Sequence, residues 1–203
     1  MSISGGISII ISSPSGAGKT TITKKILNRI KNSYLSISCT TRKPRLGEKN
    51  GIDYFFISKK NFLKLKKNNN FLESAKVYEN YYGTLNEQIK KNLKKKIILL
   101  DVDWQGARSI KKKINKNCHS FFLLPPSRKV LKKRLLKRHL KEPDVAITRF
   151  ASAKSDITHW NEYDYIYIND NLNECVNAIC KKINYLIDEK KRRALVIKKI
   201  KKL

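Results

Sequence analysis

The feature that most constrains the fold is Ser13–Thr20, a Gly-rich segment that reads SPSGAGKT. It lies between an apolar run, Ile7–Ile11, and a segment with helical spacing of its apolar residues, Lys19–Ile30. Gly16 and Gly18 have no Cβ, so backbone N–H groups can converge on an anion there, and the helix start adds its positive end. This order of strand, loop and helix predicts a phosphate-binding loop and therefore a nucleotide-binding chain.

The side chains at the end of this loop have distinct expected tasks. Lys19 is expected to reach the β- and γ-phosphates of a nucleoside triphosphate, and the Thr20 hydroxyl to bind the accompanying Mg²⁺. The usual pattern begins with glycine, where this chain has Ser13. An ordinary Gly-rich turn is the alternative, disfavoured because strand, glycines, lysine and hydroxyl occur in order. The predicted triphosphate-binding residues are Ser13, Pro14, Ser15, Gly16, Ala17, Gly18, Lys19 and Thr20.

The charge of the chain would by itself suggest a nucleic-acid partner. The 203 residues include 45 Lys+Arg against 16 Asp+Glu, a formal charge of +29. Lysine exceeds arginine, however, and lysine, asparagine and isoleucine all have codons rich in A and T, so we interpret the excess as genome base bias. No basic stripe with aromatics, helix-turn-helix or zinc-finger spacing is present. We expect no specific nucleic-acid partner.

The cysteines and the chain ends bear on the compartment. Cys39, Cys118, Cys175 and Cys180 form no CxxC pair and have no histidine at ligand spacing, which predicts free thiols. Neither a signal peptide nor a run of 18 apolar residues is found, so we expect a cytoplasmic protein without a membrane partner. The basic tail KKRRALVIKKIKKL is expected to be a solvated, partly frayed helix end, with a membrane-surface helix as the alternative.

The pattern along the chain is a repeated strand and helix. Short apolar runs are typical of strands buried on both faces, and they occur at Ile7–Ile11, Ile97–Leu100 and Phe121–Leu124. Helical stretches follow them at Lys19–Lys31, Gln105–Asn115 and Val130–Arg138. A final strand, Tyr165–Ile168, precedes a helix from Asn171. The pattern predicts one α/β domain over residues 1–203, with a parallel sheet flanked by helices.

Two segments depart from this alternation. Residues from about 35 to 90 contain strand-like pieces, Asp53–Ile57 and Phe71–Tyr78, a Pro/Gly/basic loop and many tyrosines, which predicts a mostly β insertion. Residues from about 138 to 158 include HLKEPDVAITRF before a helix expected over Ser152–Trp160. The proline and mixed charge of that stretch favour a mobile hairpin, or lid, over an active site.

Arg42 and Arg45 flank Pro44 on the loop of the predicted insertion. Two guanidinium groups on a proline-stiffened loop can bind a phosphate that carries several charges. The succession SPSGAGKT, TTRKPRLGEKNGIDYFF, FLESAKVYENYYGT, LDVDWQGA, FFLLPPS and YIYIND then resembles the guanylate kinase family along nearly the whole chain. The resemblance implies a P-loop kinase fold that transfers the γ-phosphate of ATP to GMP with Mg²⁺, in purine nucleotide metabolism.

The resemblance also implies a GMP site. Glu73 would accept two N–H groups from the guanine edge, where adenine presents no matching donors, and Ser38 and Thr84 would add hydroxyl contacts. Asp103 would lie near this pocket. Asp101 would orient hydrated Mg²⁺, with an ordinary helix-capping role as the alternative. The residues implied for the GMP phosphate are Arg42, Arg45, Tyr54 and Tyr82.

On the lid side, the family's arginines correspond to Arg134, Arg138 and Arg149, which with Lys19 and Arg42 are the expected catalytic residues. The family commonly has Gly-Arg-Gly where this chain has Lys137, Arg138 and His139, which puts the hinge geometry in question. Asn169 and Asp170 match a segment beside the adenine of ATP, and Asn171 replaces an acid there.

Three alternative functions can each be distinguished from a guanylate kinase by a sequence feature or an assay. Scaffold modules that resemble guanylate kinases bind phosphopeptides through the same arginine and tyrosine site but lack a working P-loop, so Lys19 and Thr20 argue against them. A kinase for another nucleoside monophosphate is disfavoured by Glu73 in its FLE context. A basic RNA-binding protein would bind random RNA with strong salt dependence. The sequence leaves the oligomeric state open.

Overall fold

Strands and helices alternate through most of the computed structural model, which describes residues 6–92, 97–114 and 117–200. In chain order the strands are β1 (Ile7–Ser12), β2 (Ser33–Ser36), β3 (Cys39–Thr40), β4 (Phe55–Phe56), β5 (Phe71–Val77), β6 (Asn80–Leu85), β7 (Ile97–Asp101), β8 (Cys118–Leu124) and β9 (Tyr165–Ile168). The helices are α1 (Lys19–Arg29), α2 (Lys59–Lys67), α3 (Asn86–Asn92), α4 (Trp104–Lys113), α5 (Arg128–Arg138), α6 (Pro143–Thr158) and α7 (Leu172–Ile200), with a 3₁₀ turn at His159–Glu162.

The central sheet has five parallel strands in the order β2, β7, β1, β8, β9. Because side chains alternate along a strand, Ile9 and Ile11 of β1 join the core formed with α1 and α7, and Ile10 joins the core on the α4 side. All three side chains are fully buried. The predicted parallel sheet flanked by helices is confirmed.

A second sheet has the order β4, β3, β6, β5, and β6 is antiparallel to both of its neighbours. Phe62 of α2 stacks on Phe71 with ring centroids 4.5 Å apart and closes this small core. The strand predicted at Asp53–Ile57 is limited to β4, because Asp53 accepts the Lys49 N–H in a turn just before it. The division of the chain into a core, an insertion at about 35–90 and a lid at about 138–158 stays a prediction.

The start predicted for the helix after the HLKEPDVAITRF stretch is wrong, because α6 begins at Pro143 rather than near Ser152. The mobile hairpin over an active site stays a prediction. Proline suits the first turn of a helix, where its missing N–H costs no hydrogen bond and its fixed φ is helical. The proline therefore starts a helix here instead of interrupting one. The α4 helix begins one residue earlier than predicted, and Asn115, its predicted end, lies outside the described residues.

The terminal helix α7 is continuous to Ile200, the last described residue, and every residue from Lys191 to Ile200 is exposed. Asn171 caps its start, since its side-chain oxygen accepts the Asn173 N–H at 2.9 Å. The last three residues of the basic tail lie outside the described part of the chain. Among the described residues, no helix is both long and apolar enough to cross a membrane.

Candidate active site

The Gly-rich loop connects the end of β1 to the start of α1. Gly16 and Gly18 have φ values of +88° and +99°, a left-handed conformation that side chains with a Cβ rarely adopt. A Cβ on Gly18 would also collide with the Asn169 side chain. The predicted loop thus has the backbone shape that lets amide groups face a common anion.

Two residues from elsewhere in the chain hold this loop at Ala17. The buried Asn169 side chain donates a hydrogen bond to the Ala17 carbonyl at 2.7 Å. Arg134 Nη1 lies 3.5 Å from the same oxygen, and Arg134 Nη2 donates to the Asn169 carbonyl at 3.2 Å. The structure therefore gives Asn169 and Arg134 a bracing role on the loop, while Asp170 is exposed beside them.

Lys19, at the start of α1, forms an ion pair with Asp101, the last residue of β7. Burial is the largest single influence and would lower the pKa of Lys19, but the charge and hydrogen bond of Asp101, together with Tyr54 and Asp103, outweigh it and raise the pKa. Lys19 therefore stays a cation at neutral pH. Thr20 follows it on the exposed side of the first turn.

Arg42 and Arg45 converge on one carboxylate, that of Glu48. Arg42 Nη2 lies 2.9 Å from it, and the Arg45 backbone N–H donates to it at 2.8 Å. The Arg42 guanidinium also lies 5.4 Å from the centre of the Tyr54 ring, and its hydrogen-bond partners include Tyr82. The four residues predicted for the GMP phosphate thus form one cluster.

Glu73 lies in β5 with only 4% of its surface exposed, and the Thr84 hydroxyl donates to its Oε1 at 2.7 Å. Burial raises the pKa of the Glu73 carboxyl to about 7; the Thr84 hydrogen bond opposes this shift and the nearby Asp103 adds to it. Gly106 faces Glu73 so closely that a Cβ there would lie 2.9 Å from Oε2. Ser38 is also buried.

Asp103 has a structural role that the sequence interpretation assigned, as an alternative, to Asp101. Its side chain caps α4 by accepting the Gly106 N–H at 2.9 Å. Asp101 instead ends β7 and pairs with Lys19. The capping alternative for Asp101 is therefore wrong, and Asp103 is the capping residue.

Arg138 and Arg149 extend from α5 and α6 toward the loop and the Arg42 cluster. Arg149 Nη1 lies 3.2 Å from the Ser15 hydroxyl. Desolvation, followed by the charges of Arg138, Arg42 and Arg149, lowers the pKa of Arg45 to about 10. Guanidinium groups that repel one another across a cleft form a site suited to a highly charged anion.

The departure at Lys137 and His139 leaves the backbone unstrained. Lys137 lies within α5, and His139 caps its end with a φ of −123°, which any residue adopts. Glycine is therefore not required at His139, so the question raised about hinge geometry does not come from backbone strain at this position. Its imidazole is buried, and desolvation together with the charge of Arg149 lowers its pKa.

A cavity of about 1040 Å³ joins these groups. The predicted site residues that line it are Ser13, Pro14, Ser15, Gly16, Gly18, Lys19, Thr20, Ser38, Arg42, Arg45, Tyr54, Glu73, Tyr82, Asp101, Asp103, Arg134, Arg138, Arg149 and Asn169. Ala17, Thr84 and Asp170 are not among the lining residues, although Ala17 and Thr84 contact residues that are.

Among the other residues that line this cavity, Glu48 and Tyr78 contact predicted arginines and were missed from the sequence. Glu48 had a readable signal, an acid three positions after Arg45 in a basic loop. Tyr78 had none, because its contact with the Arg149 guanidinium depends on how distant segments pack.

The parallel sheet with a Gly-rich loop after its central strand defines the P-loop class of nucleotide-binding proteins. A family model described as guanylate kinase matches residues 6–188. The chain is 49% identical over 175 residues to the guanylate kinase of Rickettsia prowazekii (strain Madrid E), covering 86% of this chain and 88% of that one. It is 46% identical over 189 residues to that of Rickettsia bellii (strain RML369-C), covering 93% and 97%.

A comparison with solved structures also finds a guanylate kinase. The crystal structure of guanylate kinase from Anaplasma phagocytophilum superposes with a TM-score of 0.75 at 32% identity, over 90% of this chain and 86% of that chain. The chain belongs to the guanylate kinase family.

Proposed function

We propose that this protein is an ATP:GMP phosphotransferase whose active site is the cavity described above. As a member of the guanylate kinase family, it phosphorylates GMP. The reaction gives ADP and GDP. One observation supports this location of the active site: the Gly-rich loop and the buried carboxylate of Glu73 line the same cavity.

For GMP, the proposed base contact is the Glu73 carboxylate, which accepts N–H groups of the guanine edge. Adenine has no matching pair of donors, so it would leave a buried carboxylate without partners. Ser38 and Thr84 add hydroxyl groups, and Asp103 borders the pocket. Arg42, Arg45, Tyr54 and Tyr82 bind the phosphate, two by charge and two by phenol hydroxyl.

For ATP, the proposed contacts are the backbone amides of Ser13–Thr20 and the Lys19 ammonium on the β- and γ-phosphates. The segment of Asn169 and Asp170 lies beside the adenine. The Asn169 side chain holds the Ala17 carbonyl, so in this proposal the same residue links the base and phosphate contacts.

The residues present fit Mg²⁺ as the metal. Among the described residues, no group of three or more His, Cys, Asp or Glu side chains could hold a metal ion. Mg²⁺ needs no such group, because it keeps several waters and takes one or two protein oxygens plus substrate phosphates. Thr20 would supply a hydroxyl, and Asp101 would orient the bound waters. The ion supplies charge neutralisation to the phosphates.

Catalysis in this proposal is positioning and charge stabilisation. The transferred phosphoryl group spreads negative charge over its oxygens, so converging guanidinium groups lower the barrier without a nucleophilic side chain. Arg138 and Arg149 point into the cleft from the lid side, and Arg134 holds the loop.

The test is one coupled assay of ADP formation with GMP, AMP, CMP and UMP in parallel. ADP formation at least about a hundredfold faster with GMP is expected from a site that pairs guanine donors. Equal rates with AMP would contradict the base contact and leave only P-loop kinase activity.

Because the four cysteines are free thiols, we also propose the cytoplasm as the place of the reaction.

A further inference from the structure

Tyr78 occupies the turn between β5 and β6, the hairpin that carries Glu73 and Thr84. Its φ is +54°, in the left-handed region that Asn and Gly adopt far more readily than tyrosine. The side chain is half-buried and lines the cavity. A bulky ring in an unfavourable backbone region calls for a reason in its contacts.

The main contact of the ring is with Arg149. The guanidinium carbon of Arg149 lies 4.8 Å from the centre of the Tyr78 ring, within the range of a cation–π interaction. The guanidinium is also held by the loop, since Nη1 lies 3.2 Å from the Ser15 hydroxyl. Arg149 is therefore placed by two elements besides its own helix.

Tyr78 also contacts α6 beyond Arg149. Ser152 is a hydrogen-bond partner of its phenol, and the carboxylate of Asp156, further along the same helix face, acts on it electrostatically. The tip of the hairpin thus interacts with three residues on one face of α6, namely Arg149, Ser152 and Asp156. A shift of the hairpin would be transmitted to Arg149 through a single ring.

We propose that Tyr78 is the positioning residue for Arg149, so that placing the hairpin against the guanine base also places this arginine for phosphoryl transfer. The proposal rests on the catalytic role of Arg149 given above. A nucleobase that fails to hold Glu73 and Thr84 would leave the hairpin, and with it Arg149, less well placed. Base recognition would then act on kcat as well as on KM.

Two substitutions separate the ring from the turn. Tyr78→Asn removes the ring and keeps a residue suited to positive φ, whereas Tyr78→Phe keeps the ring and removes the phenol hydroxyl. We expect Tyr78→Asn to lower kcat about tenfold with the GMP KM changed less than about twofold, and Tyr78→Phe to keep kcat within about twofold. Tyr185→Asn, the same change on an exposed face of α7, is the control.

A double-substitution cycle tests whether Tyr78 acts through Arg149. In the Arg149→Ala background, Tyr78→Asn should change kcat by less than about twofold, because the residue it positions is gone. A full tenfold effect in that background would overturn the proposal. So would a loss in KM alone, or an equal loss in Tyr78→Phe, which would assign the effect to the hydroxyl.

The outcomes also separate this inference from the proposed function. If Arg149→Ala kept the kcat of the unchanged protein, the role of Arg149 and this inference would both fail, while GMP kinase activity would stand. If the unchanged protein did not phosphorylate GMP, the function itself would fail. Thermal unfolding midpoints of all variants check that any loss of kcat comes from folded protein.

Discussion

The Lys19 ammonium and the Asp101 carboxylate form an ion pair that joins the first turn of α1 to the carboxyl end of β7. Both residues have proposed roles with the phosphates and the metal ion of MgATP. Binding of MgATP would therefore exchange one internal ion pair for two contacts with the ligand. The side chains are only 20% and 16% exposed, so neither charge is fully solvated when it loses its partner.

We predict that Lys19→Ala abolishes measurable phosphoryl transfer and leaves the GMP Kd within a few-fold. The lysine acts on the triphosphate, whereas the GMP contacts belong to the second sheet and its loops. Calorimetry of GMP binding beside a coupled assay measures both. Lys25→Ala on the same helix is the control, and retained turnover in Lys19→Ala would remove the P-loop lysine from the mechanism.

For the lid arginines, Arg138→Ala and Arg149→Ala are each expected to lower kcat by roughly 10³ or more, the typical effect of an arginine that stabilises the transition state. Changes in the GMP KM should be smaller. Steady-state kinetics of both variants, with Arg128→Ala at the start of α5 as the control, checks this. A change in KM alone would make that arginine a binding residue.

Glu73→Gln is expected to reduce kcat/KM for GMP far more than for AMP. An amide offers one acceptor oxygen in place of two, and its NH₂ group would face the guanine donors. The measurement is kcat/KM for both nucleotides in both proteins. If the ratio moved by less than about threefold, equivalent to about 0.65 kcal/mol and too small for a lost charged hydrogen bond, Glu73 would not read the base.

The raised pKa of Glu73, about 7, predicts a pH dependence that this residue alone should cause. Below pH 7 the carboxyl is protonated and accepts guanine donors poorly, so kcat/KM for GMP should fall by up to about tenfold per pH unit and level off above pH 7. This step should be missing in Glu73→Gln. The subtraction also removes the titration of the GMP phosphate, which both proteins share.

The raised pKa of Glu73 affects the stability of the substrate-free protein in the opposite direction, because low pH favours the fold although it lowers activity. The folded protein binds the Glu73 proton more tightly than the unfolded chain, so this group stabilises the fold below its ordinary value of 4.5. That contribution is lost as the pH rises through about 7. Denaturant unfolding of the protein and of Glu73→Gln between pH 5 and 8 isolates it.

Asp103 allows capping to be separated from substrate contact. Asp103→Ala should lower the free energy of unfolding by about 1 kcal/mol, because the Gly106 N–H loses its acceptor, whereas Asp103→Asn keeps a capping oxygen. If both variants raised the GMP KM equally while only the alanine variant lost stability, the negative charge would matter for GMP. Unchanged KM in Asp103→Asn would limit Asp103 to the helix cap.

Local patterns predicted the parts of the fold that local forces determine. The fully buried β1, the two glycines and the helix after them follow from sterics and burial within a short segment, and each was confirmed. The start of α6 was missed because a proline can end one helix or begin another, and only the neighbouring helix decides which.

In the candidate site, too, residue types were predicted from local sequence, whereas contacts between distant residues were not. The residue types around Arg42 and Glu73 were readable, and Glu48 also had a signal in the basic loop. The close approach of Gly106 to Glu73 was not readable, because it depends on distances of a few ångströms set by packing. Tyr78 carries no motif signal and contacts Arg149 across the cavity. Contacts of this kind depend on the assembled tertiary structure.

The bracing of the Gly-rich loop by Asn169 and Arg134 has a consequence for synthesis of the protein. The loop is made early in translation, but the side chains that hold its Ala17 carbonyl leave the ribosome only after most of the chain. An incomplete chain that ends before Asn169 would carry the phosphate-binding sequence without its supports. Tight ATP binding would then appear late in biogenesis and mark a nearly finished molecule.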